Sequence, residues 1–145
     1  HNVEKIDLRD KNIGYCIGCY ACTKLGKCFQ NDDMKELAKK LENADVIVLA
    51  TPVYFYSMDA QLKTFIDRTV QNYTKIRADI YIMATAWDPN TANLESTVEA
   101  VRGFSRDCLE ECPEKGVIIA GGVSEKGDIN KTKYPEQAYN MGLNC

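Results

Sequence analysis

Residues 46–68 have the sequence VIVLATPVYFYSMDAQLKTFIDR, which determines the fold class of the chain. They begin with five apolar residues, VIVLA, as expected of a strand that a parallel sheet buries on both faces. Pro52 is expected to end the strand, because proline lacks the N–H group that a ladder hydrogen bond needs. Apolar residues then recur at helical spacing over residues 57–71, with Ser57 placed to cap the helix. The segment therefore predicts a strand, an aromatic loop and a helix.

The predicted loop, residues 51–57, contains three consecutive aromatic residues, Tyr54, Phe55 and Tyr56. Ligands of open α/β sheets bind outside the carboxyl ends of the strands, and this loop follows such an end. Aromatic rings and free backbone amides suit a planar ligand such as a flavin or a nucleotide base. The same rings could cover the end of the sheet or form a subunit contact. The loop is therefore a candidate ligand site, and a purely structural role of its aromatic rings stays open.

Strands and helices alternate along the rest of the chain, which predicts one domain over residues 1–145. Alternating strands and helices favour a three-layer α/β/α sandwich with a parallel sheet. The further predicted strands are residues 3–8, at a sheet edge, 80–86 and 117–121. The further predicted helices are residues 34–41, with Asp32 as a cap, 91–112 and 135–141.

The composition excludes several classes of function. A net charge of −3 without a Lys/Arg-rich run argues against a nucleic-acid-binding surface. No apolar run is long enough to cross a bilayer and no signal peptide opens the chain, so we expect a soluble, cytoplasmic protein. The single histidine, His1, leaves no base for a Ser-His or Cys-His catalytic arrangement.

Four of the seven cysteines, Cys16, Cys19, Cys22 and Cys28, are spaced C-x2-C-x2-C-x5-C. In a reducing compartment such clustering indicates metal or redox chemistry rather than disulfides. Four thiolates on one glycine-containing loop can surround a [4Fe–4S] cluster. Zinc is an alternative, although structural zinc sites usually separate two C-x2-C pairs by a longer span. A third possibility is that these cysteines are ordinary small residues without a metal.

Two further pairs of residues are predicted to have structural roles. Cys108 and Cys112 lie at i, i+4 on the apolar side of a predicted helix, which favours core packing. Asp67 and Arg68 are expected to form an exposed ion pair at the end of the central helix.

Taken together, the motifs resemble those of the flavodoxin-like NAD(P)H-dependent FMN reductases and, within them, the iron–sulfur flavoproteins. The resemblance rests on CIGCYACTKLGKC (residues 16–28), ADVIVLATPVYFYSM (44–58), LKTFIDR (62–68) and AGGVSEKGDI (120–129). It implies a flavodoxin-like sandwich that binds FMN without a covalent bond. The first strand and the Ser/Thr-rich phosphate loop of the family are missing from this sequence.

The resemblance also implies which residues hold the cofactors. Members with the same cysteine spacing look like carriers of a [4Fe–4S] cluster, which assigns its ligands to the four cysteines of residues 16–28. No side chain is expected to act as an acid or base, since the flavin carries the chemistry. By analogy, one loop lines the flavin ring with Thr51, Pro52, Val53, Tyr54, Phe55 and Ser57, and a second loop does so with Ala86, Trp87 and Asp88.

The predicted function is that of an FMN-dependent oxidoreductase or electron-transfer protein. NAD(P)H or a ferredoxin-type donor would supply electrons, and a small molecule or a protein would accept them. Because no GxGxxG motif is present, NAD(P)H would stack transiently on the flavin. The resemblance further implies a homodimer or homotetramer. The alternatives are a plain NAD(P)H:FMN or quinone reductase without a cluster, and a flavin-free metal-binding or interaction module.

Overall fold

A computed structural model describes residues 1–145 and contains a four-stranded sheet with helices on both faces. The strands are β1 (Val46–Tyr54), β2 (Ser57–Met58), β3 (Asp79–Thr85) and β4 (Glu114–Ala120). Their order in the sheet is β2-β1-β3-β4, with β1, β3 and β4 parallel and the short β2 antiparallel to β1. The predicted α/β/α sandwich with a mainly parallel sheet is therefore confirmed.

Five α-helices and five short 3-10 helices precede, connect and follow these strands. The α-helices are α1 (Ala21–Leu25), α2 (Met34–Glu42), α3 (Ala60–Arg68), α4 (Glu95–Ser105) and α5 (Tyr134–Leu143). The 3-10 helices are Leu8–Asp10, Thr69–Gln71, Tyr73–Lys75, Thr91–Leu94 and Asp128–Lys131. None of the helices is both long and apolar enough to cross a lipid bilayer.

The main core lies on one face of the sheet, where α2, α3 and α4 bury their apolar sides. Ile47 and Leu49 of β1 align with Ile80 and Ile82 of β3, so the four side chains share this face. Ile80 and Ile82 are completely buried. Each helix places residues at i, i+3 or i+4 against this row, as an amphipathic helix does. Burial of these side chains is the main stabilising contribution to the fold.

The other face of the sheet is covered only by α5, next to β4 and β3. Gly116 permits this packing, because a Cβ atom there would lie 2.6 Å from the Met141 sulfur and 3.1 Å from a Tyr81 ring carbon. Val48 and Ala50 of β1 lie on the same face and remain exposed. The prediction that β1 is buried on both faces is therefore wrong, and β3 is the strand with that environment.

Residues 3–8 do not form the predicted edge strand. They run without a ladder into the 3-10 helix Leu8–Asp10, whose first turn closes where the Arg9 amide donates to the Asp7 carboxylate at 3.2 Å. Ile6 and Leu8 still pack, partly buried, against the core. The apolar residues of this segment thus alternate because one side of it packs against the core, and not because it pairs with a strand.

Several boundaries also differ from the predicted ones. Ser57 pairs with Tyr54 in the β1–β2 hairpin, and the N-cap of α3 is Asp59, whose carboxylate accepts from the Leu62 amide at 3.0 Å. The helix predicted over residues 91–112 is a 3-10 turn followed by α4, which ends at Ser105. Cys108 consequently lies in an exposed turn and not in the core as predicted, whereas Cys112 is buried.

Arg68 is buried and does not form the exposed pair that was predicted with Asp67. Its side chain is 1% exposed and that of Asp32 is 7% exposed. The two Arg68 Nη groups donate to the two Asp32 carboxylate oxygens at 2.6 and 3.1 Å. Asp67 instead pairs with Lys63 at the surface. The C-terminal end of α3 is thereby joined to the residue that precedes α2.

The Arg68–Asp32 pair predicts a specific acid response of the fold. Burial alone would raise the pKa of Asp32, but donors from Arg68, Gly14 and Met34 outweigh it and hold the pKa below the ordinary 3.8. Because the unfolded chain then binds the proton first, this contribution to stability is complete above pH 3.8. It is lost as the pH falls through the lower pKa of the folded state.

Urea unfolding at several pH values between about 2 and 6 measures this response. Asp32→Asn should lower the free energy of unfolding by about 3–5 kcal/mol near neutrality, because it leaves the Arg68 charge buried and unpaired. Its unfolding free energy should then fall less steeply with acid than that of the wild type. Asp67→Asn is the exposed control and should cost less than about 1 kcal/mol. Equal acid slopes in the wild type and Asp32→Asn would contradict this role of Asp32.

Candidate functional site

The β1–β2 hairpin presents the aromatic loop at the end of the sheet. Phe55 and Tyr56 form its two-residue turn with positive φ angles of 50° and 59°. A turn with two positive φ values matches the twist of the flanking strands, but side chains other than Gly and Asn rarely adopt it. Phe55 is fully exposed at the tip. Local strain and an exposed aromatic ring at one position are features of binding sites.

A cavity of about 150 Å³ lies between this hairpin and the segment that follows β3. Its walls are predominantly apolar and aromatic, which suits one face of a planar ligand. Trp87 is 76% exposed and forms part of the rim. The lining residues are Val53, Phe55, Tyr56, Ala86, Trp87, Asp88 and Leu94.

The structure therefore brings together five of the nine residues that were predicted to line the flavin. These are Val53, Phe55, Ala86, Trp87 and Asp88. Tyr56 and Leu94 line the cavity without having been assigned to it. Tyr56 belongs to the aromatic run 54–56, so the sequence could have indicated that it lines the site. Leu94 lies in the 3-10 helix after β3, and nothing in the sequence indicated that it would reach the cavity.

The other four predicted flavin residues lie outside the cavity lining. Thr51 is buried, and its hydroxyl accepts from the Asp59 amide at 2.9 Å and donates to the Pro52 carbonyl at 2.8 Å. It thus joins β1 to the start of α3. Pro52 does not end the strand as predicted, since it stays in register with Thr85 of β3. On its other edge, β1 has no partner strand at Pro52. The missing N–H of the proline therefore costs no ladder hydrogen bond on that edge.

Tyr54 and Ser57 form the last pair of the hairpin. Tyr54 is 60% exposed, and Ser57 is half-buried. Their position holds the turn in place, while the turn residues themselves contribute to the cavity.

The second wall of the cavity is fixed by hydrogen bonds to the glycine-containing segment after β4. The Ala86 amide donates to the Ala120 carbonyl at 2.9 Å, and the Val123 amide donates to the Ala86 carbonyl at 2.9 Å. The Gly122 amide donates to the Asp88 carbonyl at 3.2 Å. A Cβ atom on Gly121 would lie 2.6 Å from that same carbonyl oxygen, so only glycine permits this approach.

The Asp88 carboxylate is held in place at the rim. It accepts from the Asn93 side chain at 2.9 Å and from the Asn90 amide at 2.8 Å. Both donors lower the pKa of Asp88 below its ordinary value. A fixed negative charge therefore lies beside an otherwise apolar cavity. None of the lining residues is a cation that could bind a phosphate group.

The cysteine loop, residues 16–28, contacts the 3-10 helix Thr69–Gln71 that follows α3. Gly18, Tyr20 and Gly26 have positive φ angles, and α1 ends where the Gly26 amide donates to the Cys22 carbonyl at 2.8 Å. All four thiols are free. Cys16 and Cys19 are exposed, Cys28 is half-buried and Cys22 is buried.

The chemistry of these four thiols fits an iron–sulfur cluster, since soft thiolate sulfur is the donor that such clusters take. The conformation, however, brings no three cysteine, histidine or acidic side chains together around one metal position. The left-handed backbone at Gly18 and Gly26 gives the loop turns at both ends of the array. The donor set is suitable, and the loop must close further to bring its sulfur atoms around one centre.

The two regions share α3 as a common support. At its N-terminal end, the Asp59 amide donates to the Thr51 hydroxyl of β1, and the Asp59 carboxylate caps the helix. At its C-terminal end, the Cys28 amide donates to the Gln71 side chain at 2.9 Å, just after Arg68. The helix therefore positions both the candidate flavin site and the cysteine loop.

Comparison with known proteins agrees with this architecture. The family of NADPH-dependent FMN reductases matches residues 1–98. An iron-sulfur flavoprotein of Methanosarcina thermophila is 36% identical over 142 residues, which cover 95% of this chain and 70% of that protein. Another, from Archaeoglobus fulgidus, is 50% identical over 66 residues, which cover 46% of this chain and 30% of that protein. The chain thus spans only about a third of the first curated relatives that it matches.

Solved structures agree at the level of the fold. The FMN-dependent NADH-azoreductase from Bacillus anthracis, determined in complex with FMN, superposes with a TM-score of 0.65. The match covers 95% of this chain and 79% of that chain at 12% identity. On the family match and the Methanosarcina relative, the chain belongs to the NADPH-dependent FMN reductase family and, within it, to the iron–sulfur flavoproteins.

Proposed function

We propose that this protein is an FMN-dependent oxidoreductase that passes electrons from NAD(P)H or a ferredoxin-type donor to a small molecule or a protein. The observation that carries the proposal is the cavity between the hairpin and the Ala86–Asp88 segment, which is lined by five of the residues that the family resemblance assigns to the flavin. FMN would supply the one- and two-electron chemistry when bound. The protein's own part is to orient the ring and to exclude water from one of its faces.

The residues of the cavity suit this part. Val53 and Ala86 contribute short apolar side chains to the lining, which leave room for a flat ring. Phe55 and Trp87 are exposed at the rim, where an aromatic ring can stack on a flavin or on an incoming nicotinamide. The fixed Asp88 carboxylate would disfavour extra negative charge near the ring and so affect how easily it is reduced.

Anaerobic addition of NADH or NADPH tests the proposal directly. The donor that serves this protein should bleach the flavin absorbance. A flavin band that persists with both nicotinamides and with a reduced ferredoxin would contradict an electron-transfer role.

We also propose that Cys16, Cys19, Cys22 and Cys28 hold a [4Fe–4S] cluster. The support is their spacing, their free thiols and the name of the Methanosarcina relative, an iron-sulfur flavoprotein aligned over most of the chain. A plain FMN or quinone reductase is the second candidate. Its support is the match of residues 1–98 to the NADPH-dependent FMN reductase family.

A homodimer or homotetramer is part of the proposal. The aromatic rings of Tyr54, Phe55 and Trp87 are at least 60% exposed, and a second copy of the chain could cover them. Sedimentation equilibrium measures the mass in solution. A monomer at all concentrations would exclude this assembly.

We expect Val53→Glu to weaken FMN binding by about tenfold or more, equivalent to about 1.4 kcal/mol. The reason is that a carboxylate would have to lose its water in an apolar cavity, next to an anionic ligand. Flavin fluorescence titration gives the dissociation constant. Val48 lies on the same strand, is outside the cavity and is 48% exposed. The control variant Val48→Glu should therefore bind FMN as tightly as the wild type does. Equal affinity in Val53→Glu would place the flavin elsewhere.

We expect Cys19→Ser to abolish the iron–sulfur absorbance and most of the bound iron while the fold is retained. Serine keeps the size of the side chain but removes the soft thiolate that iron requires. Iron and sulfide analysis after anaerobic purification measures the loss. Cys108→Ser is the matched control, because Cys108 is also exposed and free but lies in the turn after α4. Full iron content in Cys19→Ser would refute the ligand assignment.

A further inference from the structure

We propose that Ser96 is a positioning residue of the candidate flavin site, which holds the aromatic turn of the hairpin at a fixed place relative to the opposite wall of the cavity. The inference rests on the proposed FMN-binding function and assigns a role to a residue outside the cavity lining. Ser96 lies in the first turn of α4, and its hydroxyl donates to the Tyr56 carbonyl at 2.8 Å. This bond joins two elements that are 40 residues apart in the sequence.

The turn that accepts this hydrogen bond has an unfavourable backbone. Phe55 and Tyr56 both have positive φ angles, 50° and 59°, although neither is glycine or asparagine. The left-handed region is unfavourable for residues that carry a Cβ atom. Such a conformation persists only where the surrounding structure holds it. The turn therefore needs support from outside its own residues.

The hairpin supplies few contacts of its own. β2 has two residues, and its pairing with β1 consists of Val53 with Met58 and Tyr54 with Ser57. No further strand pairs with β2, which forms the edge of the sheet. A two-stranded hairpin of this kind is only marginally stable by itself. Ser96 is the only residue whose side chain hydrogen-bonds to the backbone of either turn residue.

Residues 90–96 are also attached to the opposite wall of the cavity. The Asn93 side chain donates to the Asp88 carboxylate at 2.9 Å, and the Asn90 amide donates to the same group at 2.8 Å. Leu94 is 1% exposed and lines the cavity itself. One short segment thus bonds to both walls, with Asp88 at one end and the aromatic turn at the other.

The two attachments have a consequence for ligand binding. Tyr56 lines the cavity, and its carbonyl accepts the hydrogen bond from Ser96, so loss of this bond releases a lining residue. Part of the molecules would then leave the positive-φ conformation of the turn. The apparent affinity for a ligand falls in proportion to the fraction of molecules in which the site is formed. Ser96 should therefore strengthen FMN binding without being part of the lining.

Titration of the flavin-free protein with FMN measures this contribution. Trp87 is the only tryptophan of the 145-residue chain and lines the cavity, so quenching of its fluorescence reports FMN at this position. Ser96→Ala should raise the dissociation constant about fivefold, the change that loss of one hydrogen bond produces. Ser96→Thr keeps the hydroxyl and should bind FMN as tightly as the wild type does.

Amide hydrogen exchange of residues 54–58, measured without FMN, is the second readout. Ser96→Ala should speed this exchange about fivefold, because the turn opens more often without its hydrogen bond. Thr132→Ala is the matched control. The Thr132 hydroxyl also donates to a backbone carbonyl, that of Ile129 at 2.7 Å, but it lies just before α5 and outside the cavity lining. This variant should change neither the FMN affinity nor the exchange of residues 54–58.

The outcomes are distinguishable. A wild-type value of either quantity in Ser96→Ala would overturn the role of Ser96 and leave FMN binding by the protein intact. Equal changes in Ser96→Ala and Thr132→Ala would reveal a general loss of stability and would also overturn this role. A wild type that binds no FMN would instead refute the proposed function, and with it the role of Ser96 in binding.

Discussion

The buried ion pair between Arg68 and Asp32 is the interaction that attaches the cysteine loop to the rest of the fold. It joins the end of α3 to Asp32, which follows the cysteine loop, at 2.6 and 3.1 Å. Arg68 also donates to the Gly14 carbonyl, which precedes the loop, at 2.7 Å. A buried pair contributes little net stability compared with apolar residues of equal size, because both charges lose their water. The bidentate geometry also fixes the orientation of the two side chains relative to each other.

The candidate flavin site depends on a different constraint, the close approach of two backbone segments. Gly121 lets the Asp88 carbonyl come closer than any side chain would permit, and amides after β4 hold the Ala86–Asp88 segment. The opposite wall is a hairpin turn with two aromatic residues at positive φ. Both walls are attached to strand ends, so the rigid sheet fixes the width of the cavity between them.

The sequence was sufficient for the features that depend on local chemistry. The apolar run of β1, the helical spacing of α3 and the alternation of elements predicted the sandwich, and the aromatic run predicted one wall of the cavity. The remaining features depend on tertiary partners. Arg68 looks like a surface residue until Asp32, far away in sequence, is placed beside it. Cys108 matches a helical core pattern, but α4 ends at Ser105 and the turn exposes the thiol.

The dependence on tertiary partners also explains why the burial of β1 was predicted incorrectly and why four of the predicted flavin residues lie outside the cavity lining. An apolar strand predicts burial, yet which faces are covered depends on where the helices pack, and α5 reaches β3 and β4 but leaves Val48 exposed. Thr51 was assigned to the flavin by its motif, whereas its hydroxyl is engaged by Pro52 and Asp59. A family motif therefore indicates a region, and the hydrogen bonds determine which of its side chains face a ligand.

The most direct test is an ultraviolet–visible spectrum, with iron and sulfide analysis, of full-length protein purified without oxygen. The protein should show flavin bands, a broad shoulder at longer wavelength and about four irons per chain, as for one [4Fe–4S] cluster. Flavin bands without iron would contradict the cluster and leave a plain FMN reductase. A spectrum without flavin would contradict the central claim that the cavity between the hairpin and the Ala86–Asp88 segment binds FMN.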